Sequence, residues 1–110
     1  MKTVSAQPQP MTMNREQVLT RLRAHRQELE GAGVLRLAIF GSVAREESNA
    51  QSDVDLMADF DRSRRLTLLD MAGIEARLSE IVGTHVDLAD RKMLKEPVKL
   101  RAEREAVLAF

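Results

Sequence analysis

The chain has 110 residues, 44% hydrophobic and 31% charged, the balance of one folded domain. Seventeen Lys and Arg residues offset seventeen Asp and Glu residues, so the basic surplus that direct nucleic-acid binding needs is missing. With no cysteine there can be no disulfide framework, thiolate zinc site or thiol nucleophile.

Residues 1–13 (MKTVSAQPQPMTM) are rich in Gln, Pro and small polar residues and lack periodicity. They are expected to form a disordered lead-in to a domain spanning 14–110. The first ten lack the apolar core of a secretory signal, and no apolar run reaches membrane-spanning length. A cytoplasmic protein without a membrane partner is the expectation. Asn14 with Gln17 makes a capping box that opens a helix. Val18, Leu19, Leu22 and Leu29 then recur at helical spacing, with His25 on the same stripe, until Gly31 and Gly33 end it.

Residues 34–40 (VLRLAIF) alternate Leu35, Leu37 and Ile39 with Arg36 and Ala38, which predicts a strand. Gly41 breaks it, and Ser42 to Glu47 reads as a turn into a short helix. Ser48 to Ser52 is a loop by composition. A second strand over 53–60 puts Val54, Leu56, Ala58 and Phe60 on one face and Asp53, Asp55, Met57 and Asp59 on the other. A basic loop with Arg62, Arg64 and Arg65, either solvated or facing a triphosphate or an acidic partner surface, leads to a helix from about Thr67 to Val82. Its stripe runs through Leu68, Met71, Ile74, Leu78 and Ile81, and Gly83 stops it. Thr84 to Leu88 reads as a third strand with Val86 and Leu88 buried, and a last helix from Pro97 carries Val98, Leu100, Val107 and Leu108.

The chemistry concentrates in residues 41–60 (GSVAREESNAQSDVDLMADF). Asp53 and Asp55 share a strand face with Cα atoms roughly 6–7 Å apart. Carboxylates that close repel unless a cation lies between them, and an all-oxygen set favours Mg²⁺ shared with substrate phosphates. The Gly41–Ser42 turn offers backbone N–H groups and a hydroxyl to a phosphate, with no Cβ on Gly41 to block approach. A phosphate cradle beside a metal-holding pair supplies the parts for phosphoryl or nucleotidyl transfer. Asp87, on the polar face of the third strand, can join the same centre if that strand lies beside the second. There it could bind a second ion or act as general base. Arg45 either pairs with Glu47 or an aspartate, or contacts phosphate. His85 shares the face of Asp87, where it could tune that carboxylate or stand as an ordinary, partly exposed histidine.

This stretch resembles the signature of the DNA polymerase β-like nucleotidyltransferase superfamily, G-S followed by D-x-D. More narrowly it is similar to the minimal nucleotidyltransferase (MNT) antitoxins, whose pattern runs close to G-S-x-A-R-G-E-x-x-x-x-S-D-x-D-L. Gly41, Ser42, Ala44, Arg45, Glu47, Ser52, Asp53, Asp55 and Leu56 match in register, and Glu46 stands where the family usually has Gly. The resemblance implies an α/β (α+β) fold with a small mixed three-stranded sheet flanked by helices. It implies Mg²⁺, as two ions, on Asp53, Asp55 and Asp87, with ATP against Gly41, Ser42, Arg45 and Ser52. It also implies a partner, a HEPN-domain ribonuclease toxin that receives AMP on a tyrosine and is silenced. The present chain has no tyrosine, so a tyrosine acceptor must lie on another chain. The alternatives are an antitoxin that acts by binding and occlusion alone, and a nucleotidyltransferase for a small-molecule acceptor.

Overall fold

The computed structural model describes residues 14–47 and 53–110; the lead-in 1–13 and the loop 48–52, with Ser52, lie outside the described residues. The elements run α1 (Arg15–Ala24), α2 (Arg26–Gly31), β1 (Val34–Phe40), α3 (Gly41–Ala44), β2 (Val54–Phe60), α4 (Leu68–Val82), β3 (Val86–Asp90), a 3₁₀ turn (Arg91–Met93), α5 (Val98–Glu105) and β4 (Val107–Leu108). Among the described residues no helix is long and apolar enough to cross a membrane.

The predicted capping box opens α1. Asn14 Oδ1 accepts from the Gln17 N–H at 2.9 Å, and Gln17 Oε1 accepts from the Asn14 N–H at 3.1 Å. The single helix expected to reach Gly31 is interrupted at His25, whose backbone turns to φ −107°, ψ 17°. In a continuous helix the Arg21 carbonyl would accept from the His25 N–H. Here it lies 2.9 Å from His25 Nδ1, and the N–H turns to the Leu22 carbonyl at 3.1 Å. A side chain that takes its own helix's acceptor disfavours regular continuation. Val18, Leu19, Leu22 and Leu29 remain buried across the break.

The sheet is mixed, in the order β3-β2-β1-β4, with β1 antiparallel to both neighbours and β2 parallel to β3. It has four strands where three were expected, because the chain leaves α5 at an extended Ala106 and pairs Val107 and Leu108 with Ile39 and Ala38. The Arg23 guanidinium fastens this end by donating to the Ala109 and Leu108 carbonyls at 2.8 and 3.0 Å. Leu35 also departs from expectation. The register shifts between Val34 and Arg36, so Leu35 is the extra residue of a bulge and is half exposed, while Leu37 and Ile39 are fully buried.

Helix α4 starts from a second capping box, Thr67 with Asp70, and Gly83 closes it in the left-handed region at φ +90°. Ile74, Leu78, Ile81 and Val82 face the core, but Leu68 is 89% exposed. At about 100° per residue Leu68 lies about 80° from Leu78 around the axis, outside the stripe. Helices α1, α2 and α4 contribute with one sheet face to the main core, which includes Leu22, Leu37, Ile39, Leu56, Leu78 and Val86. On the other face Ala102 of α5 packs on Ala38 and Met57, joined by Phe40, Ala89 and Leu94. Asp53 and Asp55 lie on that second face, beyond this smaller cluster.

Candidate active site

Strand β1 runs directly into the Gly41–Ser42 turn. Its last residue, Phe40, pairs with Asp55 across the sheet, which brings the turn against that carboxylate. Gly41 has φ +75°, and a Cβ built on it would collide with Asp55 Oδ2 and approach Asp55 Cγ to 3.1 Å. Glycine is therefore required twice, by backbone conformation and by space. Helix α3 ends in a Schellman motif: the Glu47 N–H donates to the Ser42 carbonyl at 2.8 Å and the Glu46 N–H to the Val43 carbonyl at 3.1 Å. Glu46 holds the left-handed position of that motif at φ +60°, where glycine is usual, and its carboxylate lies 3.4 Å from Arg15. Glu46 thus belongs to the C-terminal end of α3, and Gly41–Ser42 to the other end.

The parallel register of β2 and β3 builds the rest. Val54 pairs with Val86 and Asp55 with Asp87, and the Val54 N–H donates to the His85 carbonyl at 3.0 Å. Both valines are buried in the core, so by strand alternation the residues flanking them share the opposite face. The result is a four-cornered array, with Asp53 beside His85 and Asp55 beside Asp87. His85 Nδ1 lies 3.4 Å from Asp53 Oδ1 and 3.9 Å from Asp87 Oδ1. One donor atom from each of Asp53, His85 and Asp87 falls within 4.8 Å of the others, a grouping able to hold a metal ion. These three are exposed, whereas Asp55 is partly buried against the turn.

Burial pushes the Asp55 carboxyl above its usual range, the Asp87 and Asp53 carboxylates push it further, and the Arg45 charge opposes them. This is an excess of negative charge that a divalent cation would relieve. Three convergent carboxylates fit a hard cation such as Mg²⁺, and the cradle at Gly41, which a Cβ would fill, fits a phosphate beside it.

The candidates from the sequence do not all converge. Gly41, Asp53, Asp55 and Asp87 come together, and Ser42 is adjacent on α3. Arg45 is held by Glu47 and Glu105, each at 2.9 Å, so it ties α3 to α5 while its charge still reaches Asp55. Arg62 grips Asp90 at 2.7 and 2.9 Å, and Arg64 donates to the Gly31 carbonyl at 2.6 Å. Ser52 lies outside the described residues. His85, expected to be an ordinary histidine beside Asp87, stands in the array with Asp53 as well. Its signal was the repetition of D-V-D at 53–55 by H-V-D at 85–87.

The family model for the nucleotidyltransferase domain matches residues 19–109. The chain is 36% identical over 93 residues to the protein adenylyltransferase MntA of Thermococcus cleftensis, covering 84% of this chain and 92% of that protein. A solved structure assigned as a minimal nucleotidyltransferase superposes with TM-score 0.74 at 33% identity, covering 88% of this chain and 97% of the other. A chain in the complex of tri-AMPylated HEPN toxin with MNT antitoxin from Shewanella oneidensis shares the fold alone. It gives TM-score 0.60 at 13% identity over 84% of this chain and 71% of that one. The Gly-Ser turn, the D-x-D strand and these likenesses agree: the chain belongs to the nucleotidyltransferase domain family, in its minimal nucleotidyltransferase branch.

Proposed function

We propose that this chain is an ATP:protein adenylyltransferase that moves AMP onto a tyrosine hydroxyl of a HEPN-domain ribonuclease toxin and so acts as its antitoxin. The observation that carries the reading is the convergence of Asp53, Asp55 and Asp87 beside the Gly41–Ser42 turn. The adenylyltransferase relative supports AMP as the transferred group, and the tri-AMPylated HEPN complex supports the acceptor class.

Asp53, Asp55 and Asp87 would hold Mg²⁺, which supplies Lewis-acid neutralisation of the triphosphate. Gly41 lets the backbone approach a phosphate closely, and the turn's N–H groups with the Ser42 hydroxyl donate to it. The tyrosine oxygen attacks the α-phosphorus, the bond to the bridging oxygen of the β-phosphate breaks, and pyrophosphate leaves along the turn. The hydroxyl proton passes to a carboxylate oxygen, and Asp87, exposed on the edge strand, is suited to take it. Positioning and fixed charge supply most of the acceleration. Glu46 faces Arg15 at the far end of α3, which favours a working phosphate turn over inhibition by occlusion alone.

The test mixes the chain with its HEPN partner, with and without ATP and Mg²⁺, and follows intact mass and ribonuclease activity together. The expected result is loss of nuclease activity only with ATP, with added AMP mapped to tyrosine. Inhibition without ATP and without added mass would instead establish occlusion. AMP appearing on a small hydroxyl compound and not on the protein would establish the third reading.

A further inference from the structure

His85 is the corner of the array to which the transfer reaction gives no task. Its backbone is fixed on the edge strand by the 3.0 Å bond from the Val54 N–H to its carbonyl, and strand alternation directs its ring to the side of Asp87. The side chain is 62% exposed, so core packing does not account for its position. Its Nδ1 lies 3.4 Å from Asp53 and 3.9 Å from Asp87, both longer than an ordinary hydrogen bond, so among the described residues no carboxylate holds the ring nitrogen at bonding distance.

We propose that His85 is a nitrogen ligand to the divalent cation held between Asp53 and Asp87, and that it biases the site toward transition-metal ions such as Mn²⁺ over Mg²⁺. The inference rests on the reading of this array as the metal-holding site. Octahedral bonds of about 2.1 Å put neighbouring donor atoms about 3.0 Å apart and opposite ones about 4.2 Å apart. The observed 3.4 and 3.9 Å fall inside that interval, and exposed side chains can close the remainder by small rotations. Carboxylates alone suit Mg²⁺, Ca²⁺ and Mn²⁺ alike, whereas an imidazole adds affinity for transition ions and little for Mg²⁺. A site made of carboxylates and one imidazole therefore discriminates where carboxylates alone would not.

The experiment uses the full chain as wild type, His85→Ala and Asp53→Asn. Mn²⁺ binding is followed by loss of the free-ion electron paramagnetic resonance signal, and Mg²⁺ binding by competition against Mn²⁺. Coordinated nitrogen is read from the ¹⁴N modulation in the electron spin echo of bound Mn²⁺. Wild type should show that modulation. His85→Ala should lose it and bind Mn²⁺ at least about tenfold more weakly, with Mg²⁺ affinity changed by less than about twofold. Absent modulation in wild type, or a His85→Ala effect that is nil or equal for both ions, overturns the ligand role. Asp53→Asn separates the two levels of the argument. If it abolishes binding of both ions while His85→Ala is silent, only the histidine assignment fails. If Asp53→Asn retains both ions, or wild type binds no Mn²⁺, the metal-site reading fails with it.

Discussion

Replacing Gly41 by alanine perturbs the turn and the Asp55 carboxylate, the proposed metal ligand, in one step. At φ +75° an L-residue costs about 1–2 kcal/mol relative to glycine. In a domain of roughly this size each kcal/mol lowers Tm by about 4–8 °C. The new Cβ would also fall on Asp55 Oδ2 and within 3.3 Å of Asp55 Cβ, and the pairing of Phe40 with Asp55 keeps the backbones from parting. The Asp55 side chain must therefore swing aside. Misplacing a catalytic group by about 1 Å costs about 100-fold in rate, so AMP transfer should fall by at least that factor. Gly73→Ala is the matched control. Beyond its chain neighbours and its own helix backbone, no described atom lies within 4 Å of the added Cβ, and the residue sits inside α4, so the change should stabilise by about 0.5–1 kcal/mol and leave transfer unchanged. Thermal melts and initial rates of AMP transfer read both effects. A Gly41→Ala variant with wild-type Tm and rate would refute the close approach of turn and carboxylate.

Glu46→Gly should raise stability by about 1 kcal/mol, because it frees the left-handed position that closes α3 and gives up only the 3.4 Å contact of a largely exposed carboxylate with the part-buried Arg15; denaturant melts check the sign. AMP transfer should be unchanged in that variant, since the residue lies at the other end of α3 from the phosphate turn. Asp55→Asn should abolish transfer yet melt higher than wild type at neutral pH in chelator. The Asp55 carboxyl titrates above its unfolded range, so its contribution to stability is full at acid pH and is lost as pH rises through its folded value. The gap between variant and wild type should accordingly close by about pH 3, as melts across pH would show. Mg²⁺ at ten times its Kd should stabilise wild type by about 1.4 kcal/mol and Asp55→Asn by less, measured as a shift in Tm.

Local chemistry was readable in the chain wherever it depends on near neighbours. The Asn14–Gln17 capping box, the stop at Gly83 and the Gly41–Ser42 turn each follow from a few adjacent residues, and each appears in the structure. Features set by distant pairing were not readable. Leu35 fits a regular strand pattern until its partner strand supplies one residue against two. Val107 and Leu108 satisfy a helix or a strand equally well, and only the open edge of β1 selects the strand. The His25 break turns on which donor reaches the Arg21 carbonyl, a competition that an apolar stripe does not encode. The same limit governed the site: the D-x-D pair announces itself, but His85 joins it only through the register of two parallel strands.

The most direct measurement follows label from ATP carrying radioactive phosphorus at the α position or at the γ position, with the proposed HEPN partner as acceptor. The account predicts that α-label enters the partner, that γ-label leaves with pyrophosphate, and that Asp53→Asn with Asp55→Asn abolishes the transfer while the variant still folds. Retention of γ-label on the partner, or undiminished α-label transfer by the folded double variant, would contradict it.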